Sequence, residues 1–185
     1  MSGQRSDTRE KIQQLALELF SEQGYDQTSL REIAERLGVT KAALYYHFKS
    51  KEDIVASLFQ DVNDEVDNVI KWAEGQPSTP ATRQELIRRY AAMTRGRGSA
   101  LFRFLQENRA AVHELKTADE MRERYLRLAQ LVSDPEAPLT DQFRARLAFF
   151  ALNGGAFVLR DYDITSEERD DIALQVALEL VAGSG

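Results

Sequence analysis

Apolar residues recur at helical spacing along almost the whole chain, and no stretch of apolar–polar alternation competes with them. Ile12, Leu15, Ala16, Leu19 and Phe20 mark the first helix at i, i+3, i+4, i+7 and i+8. Asp7 and Glu10 have the spacing of a cap and its partner, and Gly24 is a natural stop. A second helix begins after Thr28 or Ser29, with Ser29 and Glu32 as a capping box. It presents Leu30, Ile33, Ala34 and Leu37 and ends at Gly38. Val39-Thr40 leaves room only for a tight turn before a third short helix, Lys41 to His47. Ser50 with Asp53 opens a long helix through Ile54, Leu58, Phe59, Val62, Val66, Val69 and Ile70 to Trp72.

Breakers divide the remainder. The segments 75–80, 96–99, 133–138 and 161–165 read as loops, with helices expected near 81–95, 100–115, 118–132, 139–160 and 166–182. Thr165 and Glu168 form a further capping box. The expected fold is all-α: an N-terminal three-helix unit over 1–49 and a helical regulatory and dimerisation unit over 50–185. A length of 185 residues fits one or two small domains.

Composition excludes several functions. There are no cysteines, and the two histidines, His47 and His113, lie far apart. Thiolate chemistry and a zinc signature are therefore both out of reach. No nucleophile–base pair or cofactor motif appears, so neither an enzyme nor a cofactor is expected. Gly96-Arg97-Gly98 follows no strand and reads as a turn, not a phosphate loop. The longest uncharged apolar stretch, Leu147–Leu159, has 13 residues, against about 20 for a membrane span. The N-terminus lacks an apolar signal core. These features point to a soluble, cytoplasmic protein.

Two short helices joined by a tight turn and packed on a preceding helix form a helix-turn-helix pattern. The second helix must protrude, so few of its residues can be tied to the core. Leu44 and Phe48 point inward, which leaves Thr40, Lys41, Ala42, Ala43, Tyr46 and His47 outside. Small Ala42 and Ala43 allow close approach to a groove, and their methyls can touch thymine. The net charge is −6, yet Val39–Lys51 carries Lys41, Lys49 and Lys51 and no acid. That is a local basic face suited to double-stranded DNA. Lys49 reads as a solvated charge.

The run ALELFSEQGYDQTSLREIAERLGVTKAALYYHFKSKEDI, within Ile12–Ile54, resembles the DNA-binding domain of the tetracycline-repressor (TetR) family of bacterial regulators; the YYHFKSKE end is the most diagnostic part. The resemblance implies that Thr28, Ser29 and Arg31 touch phosphate or a groove edge. It implies that Lys41, Ala42, Ala43 and Tyr46 face bases, while Tyr45, His47 and Lys51 hold the backbone. Many members have Gly and Thr where this chain has Ala42 and Ala43.

The C-terminal helices carry more apolar surface than one core needs. Phe143, Leu147, Phe150, Gly154 and Phe157 form one stripe of 139–160, and Phe149, Leu152, Ala156 and Leu159 form another. Leu174, Leu178 and Val181 add to the surplus on the last helix. A homodimer through a four-helix bundle follows most simply, with Gly154-Gly155 permitting close helix approach. The resemblance also makes a ligand cavity plausible in the middle helices. Trp72, Tyr90, Met93, Phe102, Met121 and Tyr125 are its candidate walls, with Glu107 and His113 as polar groups. Taken together, the sequence reads as a dimeric DNA-binding regulator, a repressor released by a small, largely apolar effector. The alternatives are a helical protein-interaction module and a ligand-independent DNA-binding regulator.

Overall fold

The computed structural model describes residues 3–95, Leu101, Phe104, Asn108 and 117–182, with side chains from Asp7 and again from Glu120. The described residues are helical, with no strand among them. The helices are α1 (Gly3–Gln23), α2 (Leu30–Leu37), α3 (Lys41–His47), α4 (Lys51–Glu74), α5 (Pro80–Met93), α6 (Thr117–Val132), α7 (Leu139–Val158) and α8 (Ser166–Ala182). The expected turn at 96–99 and most of the expected helix at 100–115 lie outside the described residues. No described helix is long and apolar enough to cross a membrane.

Local chemistry sets most of the boundaries. Ser29 accepts from the Glu32 amide, and Gly38 ends α2 at φ +70°, where its N–H reaches back to Ala34 and Glu35. Thr40 caps α3 through the Ala43 amide. Ser50 accepts from the Asp53 amide at 3.1 Å, and the Asp53 carboxylate takes the Lys49 N–H at 2.9 Å. Thr165 and Glu168 complete a reciprocal box before α8. Asp7 is not a cap: α1 already runs from Gly3, and Asp7 pairs with Lys11 one turn on.

The chain forms two compact units. They do not divide at 49/50 as expected. Among the described residues, the first unit runs to Asp61 and includes Leu101, Phe104, Asn108 and Thr117; the second holds 62–95 and 118–182. The physical reason is that the first turns of α4 belong to the first core, where Ile54, Val55, Leu58 and Phe59 are buried with Ile12, Leu19, Phe20, Ile33 and Leu44. A polar seam accompanies them, in which Gln13 donates to Ser57 and Asp61 and Arg9 pairs with Asp61.

The second core gathers Val66, Leu86, Ile87, Tyr90, Leu128, Val132, Ala145, Ala148, Phe149, Ala177 and Val181. Gly155 is buried where α7 meets α8, with the Ala173 Cβ 3.0 Å from the position its own Cβ would take. Gly154 faces open space. Within this chain the close helix approach falls at Gly155.

Candidate nucleic-acid interface

The first core holds α3 by two side chains. Leu44 is fully buried and Phe48, the residue after the helix, is nearly so. Every other position from Lys41 to His47 is exposed or half-exposed. Tyr46 is 64% exposed and Tyr45 45%. Lys41 and Ala42 are exposed and Ala43 is half-buried. His47 is half-buried beside the Tyr46 ring, edge-on at 5.2 Å. The helix therefore presents small side chains, one lysine and two phenols to its surroundings. Such a face can approach nucleic acid closely and offer hydroxyl and ammonium donors to phosphate or base edges.

The α2 candidates stand differently. Ser29 is exposed but spends its oxygen on the helix cap. Arg31 is exposed and bonded to Glu35 at 2.6 Å, one turn along. Thr28 is 2% exposed; its hydroxyl donates to the Gly24 carbonyl and accepts from Gln23. The expected contact through Thr28 is therefore corrected: its side chain ties the α1–α2 turn together and offers nothing outward.

Lys51 is engaged within the protein as well. Its ammonium donates to the Tyr25 carbonyl and sits 4.3 Å from the Tyr25 ring centroid. Tyr25 in turn donates to Glu52 at 2.8 Å and packs against Phe20 and Phe104. Burial pushes the Tyr25 phenol well up, and the Glu52 hydrogen bond adds to this. Glu52 is held below the usual carboxylate range by a backbone N–H and then by Tyr25. Lys51, Tyr25 and Glu52 thus form a clasp between the α1–α2 turn and the start of α4. Charge counting along the sequence missed it. Its visible signal was an aromatic residue directly after the helix-stopping Gly24. Lys49 is likewise engaged, closing α3 by donating to the Tyr45 carbonyl at 2.6 Å.

In the second unit the expected ligand walls are placed as follows. Tyr90 is buried, edge-on to Phe149 at 5.0 Å, and donates to Asn153 at 3.1 Å. Tyr125 packs on Phe149 and Phe150, and burial pushes its phenol up to about 12. Trp72 lies 4.1 Å under the Arg89 guanidinium. Met93 and Met121 are half-buried. Phe102, Glu107 and His113 lie outside the described residues. Tyr90, Tyr125, Trp72 and Met93 belong to the second core or pack against it.

The expected dimer residues separate into two groups. Phe143, Phe150 and Phe157 are exposed by 64%, 66% and 69%, at seven-residue spacing on α7. Leu147 and Gly154 lie between them, half-buried. Val181 is 2% exposed in the core of its own unit, and Leu174 and Leu178 pack against that core. Val181 is thus corrected to intrachain packing, while Leu174 and Leu178 stay half-buried. The exposed large apolar residues of α8 are Ile172 and Val176.

Comparison with known proteins supports the same region. The family model described as bacterial regulatory proteins, tetR family, matches residues 12–58. The HTH-type transcriptional regulator AcrR of Shigella flexneri is 48% identical over 54 residues, covering 29% of this chain and 25% of that protein. The HTH-type negative transcriptional regulator IcaR of the Staphylococcus aureus (strain Newman) biofilm operon icaADBC is 44% identical over 62 residues, 34% of this chain and 33% of its own. The chain thus spans a quarter to a third of the length of these curated relatives. Among solved structures, Mycobacterium smegmatis AmtR aligns over 94% of this chain and 86% of its own, with a TM-score of 0.65 and 28% identity. The match to the tetR family of bacterial regulatory proteins is confined to residues 12–58, within the α1–α3 unit and the start of α4, and there the chain is similar to those regulators.

Proposed function

We propose that this chain is a homodimeric, DNA-binding transcriptional regulator, a repressor released from operator DNA by a small, largely apolar effector. The carrying observation is α3, anchored by Leu44 and Phe48 while Lys41, Ala42, Tyr45 and Tyr46 stand exposed. In this reading Lys41, Ala42, Ala43 and Tyr46 meet base edges. Thr40, Tyr45, His47, Ser29 and Arg31 serve the sugar-phosphate backbone, Arg31 exchanging Glu35 for phosphate. Acting on DNA places the protein in the cytoplasm. The printed role of the Staphylococcus aureus relative, a negative regulator, supports repression as the direction of control.

A dimer supplies two copies of α3. Two-fold operators space their half-sites about 34 Å apart. The exposed Phe143–Phe150–Phe157 stripe, with Ile172 and Val176, supports α7 and α8 as the dimer face. An effector acts by favouring a state whose α3 spacing does not match the operator, and its effect is bounded by its differential affinity for the two states. Trp72, Met93, Met121 and Tyr125 remain the proposed walls of its site, with the buried Tyr90–Asn153 pair as the polar element.

The test is a gel shift with the DNA upstream of the protein's own gene. A specific band, lost with Tyr46→Ala or Lys41→Ala at unchanged folding, supports the reading. Unchanged binding in both variants removes α3 from the interface. No binding to any DNA leaves a protein-interaction module.

A further inference from the structure

Gln13 is enclosed in the first unit and spends its amide hydrogens on α4. Its Nε2 donates to Ser57 Oγ at 2.8 Å and to an Asp61 carboxylate oxygen at 2.7 Å. Ser57 and Asp61 are four residues apart, so one side chain of α1 grips a full turn of α4 from the same side. One turn earlier on α1, Arg9 donates to the other Asp61 oxygen at 3.3 Å and lies 5.6 Å from the Phe48 ring centroid. Phe48 is one of the two residues that anchor α3. Neighbouring turns of α1 thus meet both the end of α3 and one face of α4.

This arrangement discriminates between registers. A slide of α4 by one turn, about 5.4 Å, strands a buried amide whose Oε1 already lacks a partner. A rotation that carries Ser57 and Asp61 away does the same. Such a group is costly in an enclosed position, so competing placements of α4 are raised above the observed one. The apolar contacts of Ile54, Leu58 and Phe59 alone tolerate small slides far better. α4 is one helix from Lys51 to Glu74, so its register on α1 sets the direction in which it runs on past Asp61.

We propose that Gln13 is a positioning residue for DNA reading: with Arg9 it locks the register of α4 on the α1–α3 unit and so sets the half-site spacing that the dimer accepts. This role rests on the dimeric, DNA-binding reading above and names what fixes its geometry. In a two-fold dimer the direction of each α4 enters the separation of the two α3 helices, and operators hold that separation to about 34 Å or its multiples. A looser register leaves the contacts of a single α3 intact but admits other separations.

The experiment is a gel-shift series with the full chain on the operator footprinted upstream of its own gene. Companion duplexes carry one base pair inserted or deleted between the half-sites, or a single half-site. The unmodified chain should bind the native spacing about tenfold or more tighter than either altered spacing. Gln13→Met keeps the bulk and removes both donated bonds together with the orphaned Oε1. It leaves Ser57 bonded to the Ile54 carbonyl and Asp61 to Arg9. It should shrink the spacing preference to about threefold or less, with single half-site affinity unchanged. A merely structural loss would instead lower binding to all duplexes together and overturn the role. Asp61→Ala, at a side chain 28% exposed, tests the lock from α4 and should broaden the preference likewise. Asp61→Asn keeps an oxygen for the Gln13 amide and should retain the preference. A preference undiminished in folded Gln13→Met or Asp61→Ala, or lost equally in Asp61→Asn, overturns the role, as does an unmodified chain indifferent to spacing. Absence of sequence-specific binding by the unmodified chain overturns the DNA-binding reading itself.

Discussion

The Lys51 ammonium lies over the ring of Tyr25, 4.3 Å from its centroid, while donating to the Tyr25 backbone carbonyl. A lysine that the family resemblance assigns to the DNA backbone thus also ties two parts of the protein together. Lys51→Ala should cost about 1–2 kcal/mol of stability, from one cation–π contact and one charge-assisted hydrogen bond. It should leave the salt dependence of DNA binding almost unchanged. Lys41→Ala should do the reverse, leaving stability within about 0.5 kcal/mol while weakening operator binding and relaxing its sequence preference. Paired melting curves and salt titrations of affinity distinguish the two. A full unit of slope lost with Lys51→Ala would return that residue to the interface.

The same clasp carries a pH signature. Tyr25 is raised by burial and by Glu52, with Asp26 adding to the effect. The folded state therefore holds this proton longer than the unfolded chain. Its contribution to stability is complete below the unfolded tyrosine value of about 10 and is lost as pH rises above it. Glu52 is depressed, so its smaller and partly solvent-screened contribution is present above about pH 4.3 and lost on further acidification. Tyr25→Phe should flatten the alkaline limb of a melting-temperature profile from about pH 10 upward. Tyr90 and Tyr125 are raised as well, so part of that limb should remain. An identical alkaline limb in Tyr25→Phe contradicts the assignment.

How much was legible depended on whether a residue's role is local. Caps at Ser29, Ser50 and Thr165 follow from spacing and are found in place, because each bond closes within one turn. Leu44 and Phe48 were legible for the same reason, being the inward positions of a very short helix. Thr28 and Val181 were misplaced, and the Lys51–Tyr25 contact was not foreseen, because their partners are set by tertiary packing.

Adjacent glycines on α7 should respond in opposite ways. Gly154 has nothing within 4 Å of an added Cβ, so Gly154→Ala should stabilise by about 0.5–1 kcal/mol through helix propensity. At Gly155 the added Cβ meets the Ala173 Cβ at 3.0 Å. Gly155→Ala should lose most of that gain, and Gly155→Leu should destabilise by roughly 1–3 kcal/mol as α7 and α8 are forced apart. Denaturant unfolding of the variants measures the contrast. Equal gains from both alanine substitutions would mean that the helix contact yields freely.

The final prediction separates association from folding. Phe150 is 66% exposed and Val181 2% exposed, though both sit on C-terminal helices that the sequence reads as surplus apolar surface. Three phenylalanines exposed at heptad spacing on one helix are costly in water and typical of a covered face. If that face is the dimer interface, a charge at its centre is stranded on association but well hydrated in the monomer. Phe150→Glu should therefore yield a folded monomer, with stability of the isolated chain changed by only about 0.5 kcal/mol and association weakened by several kcal/mol. Val181→Glu should instead lose several kcal/mol of folding stability, because its carboxylate has no water and no counter-charge in the second core. Sedimentation at micromolar concentration, read beside circular dichroism, distinguishes the cases. A dimer that persists in Phe150→Glu moves the interface elsewhere, and a monomeric unmodified chain removes the dimer. A monomer with intact helicity also supplies a direct test of DNA binding. It has one α3 unit where the operator demands two, so its affinity should fall while single half-site contacts survive.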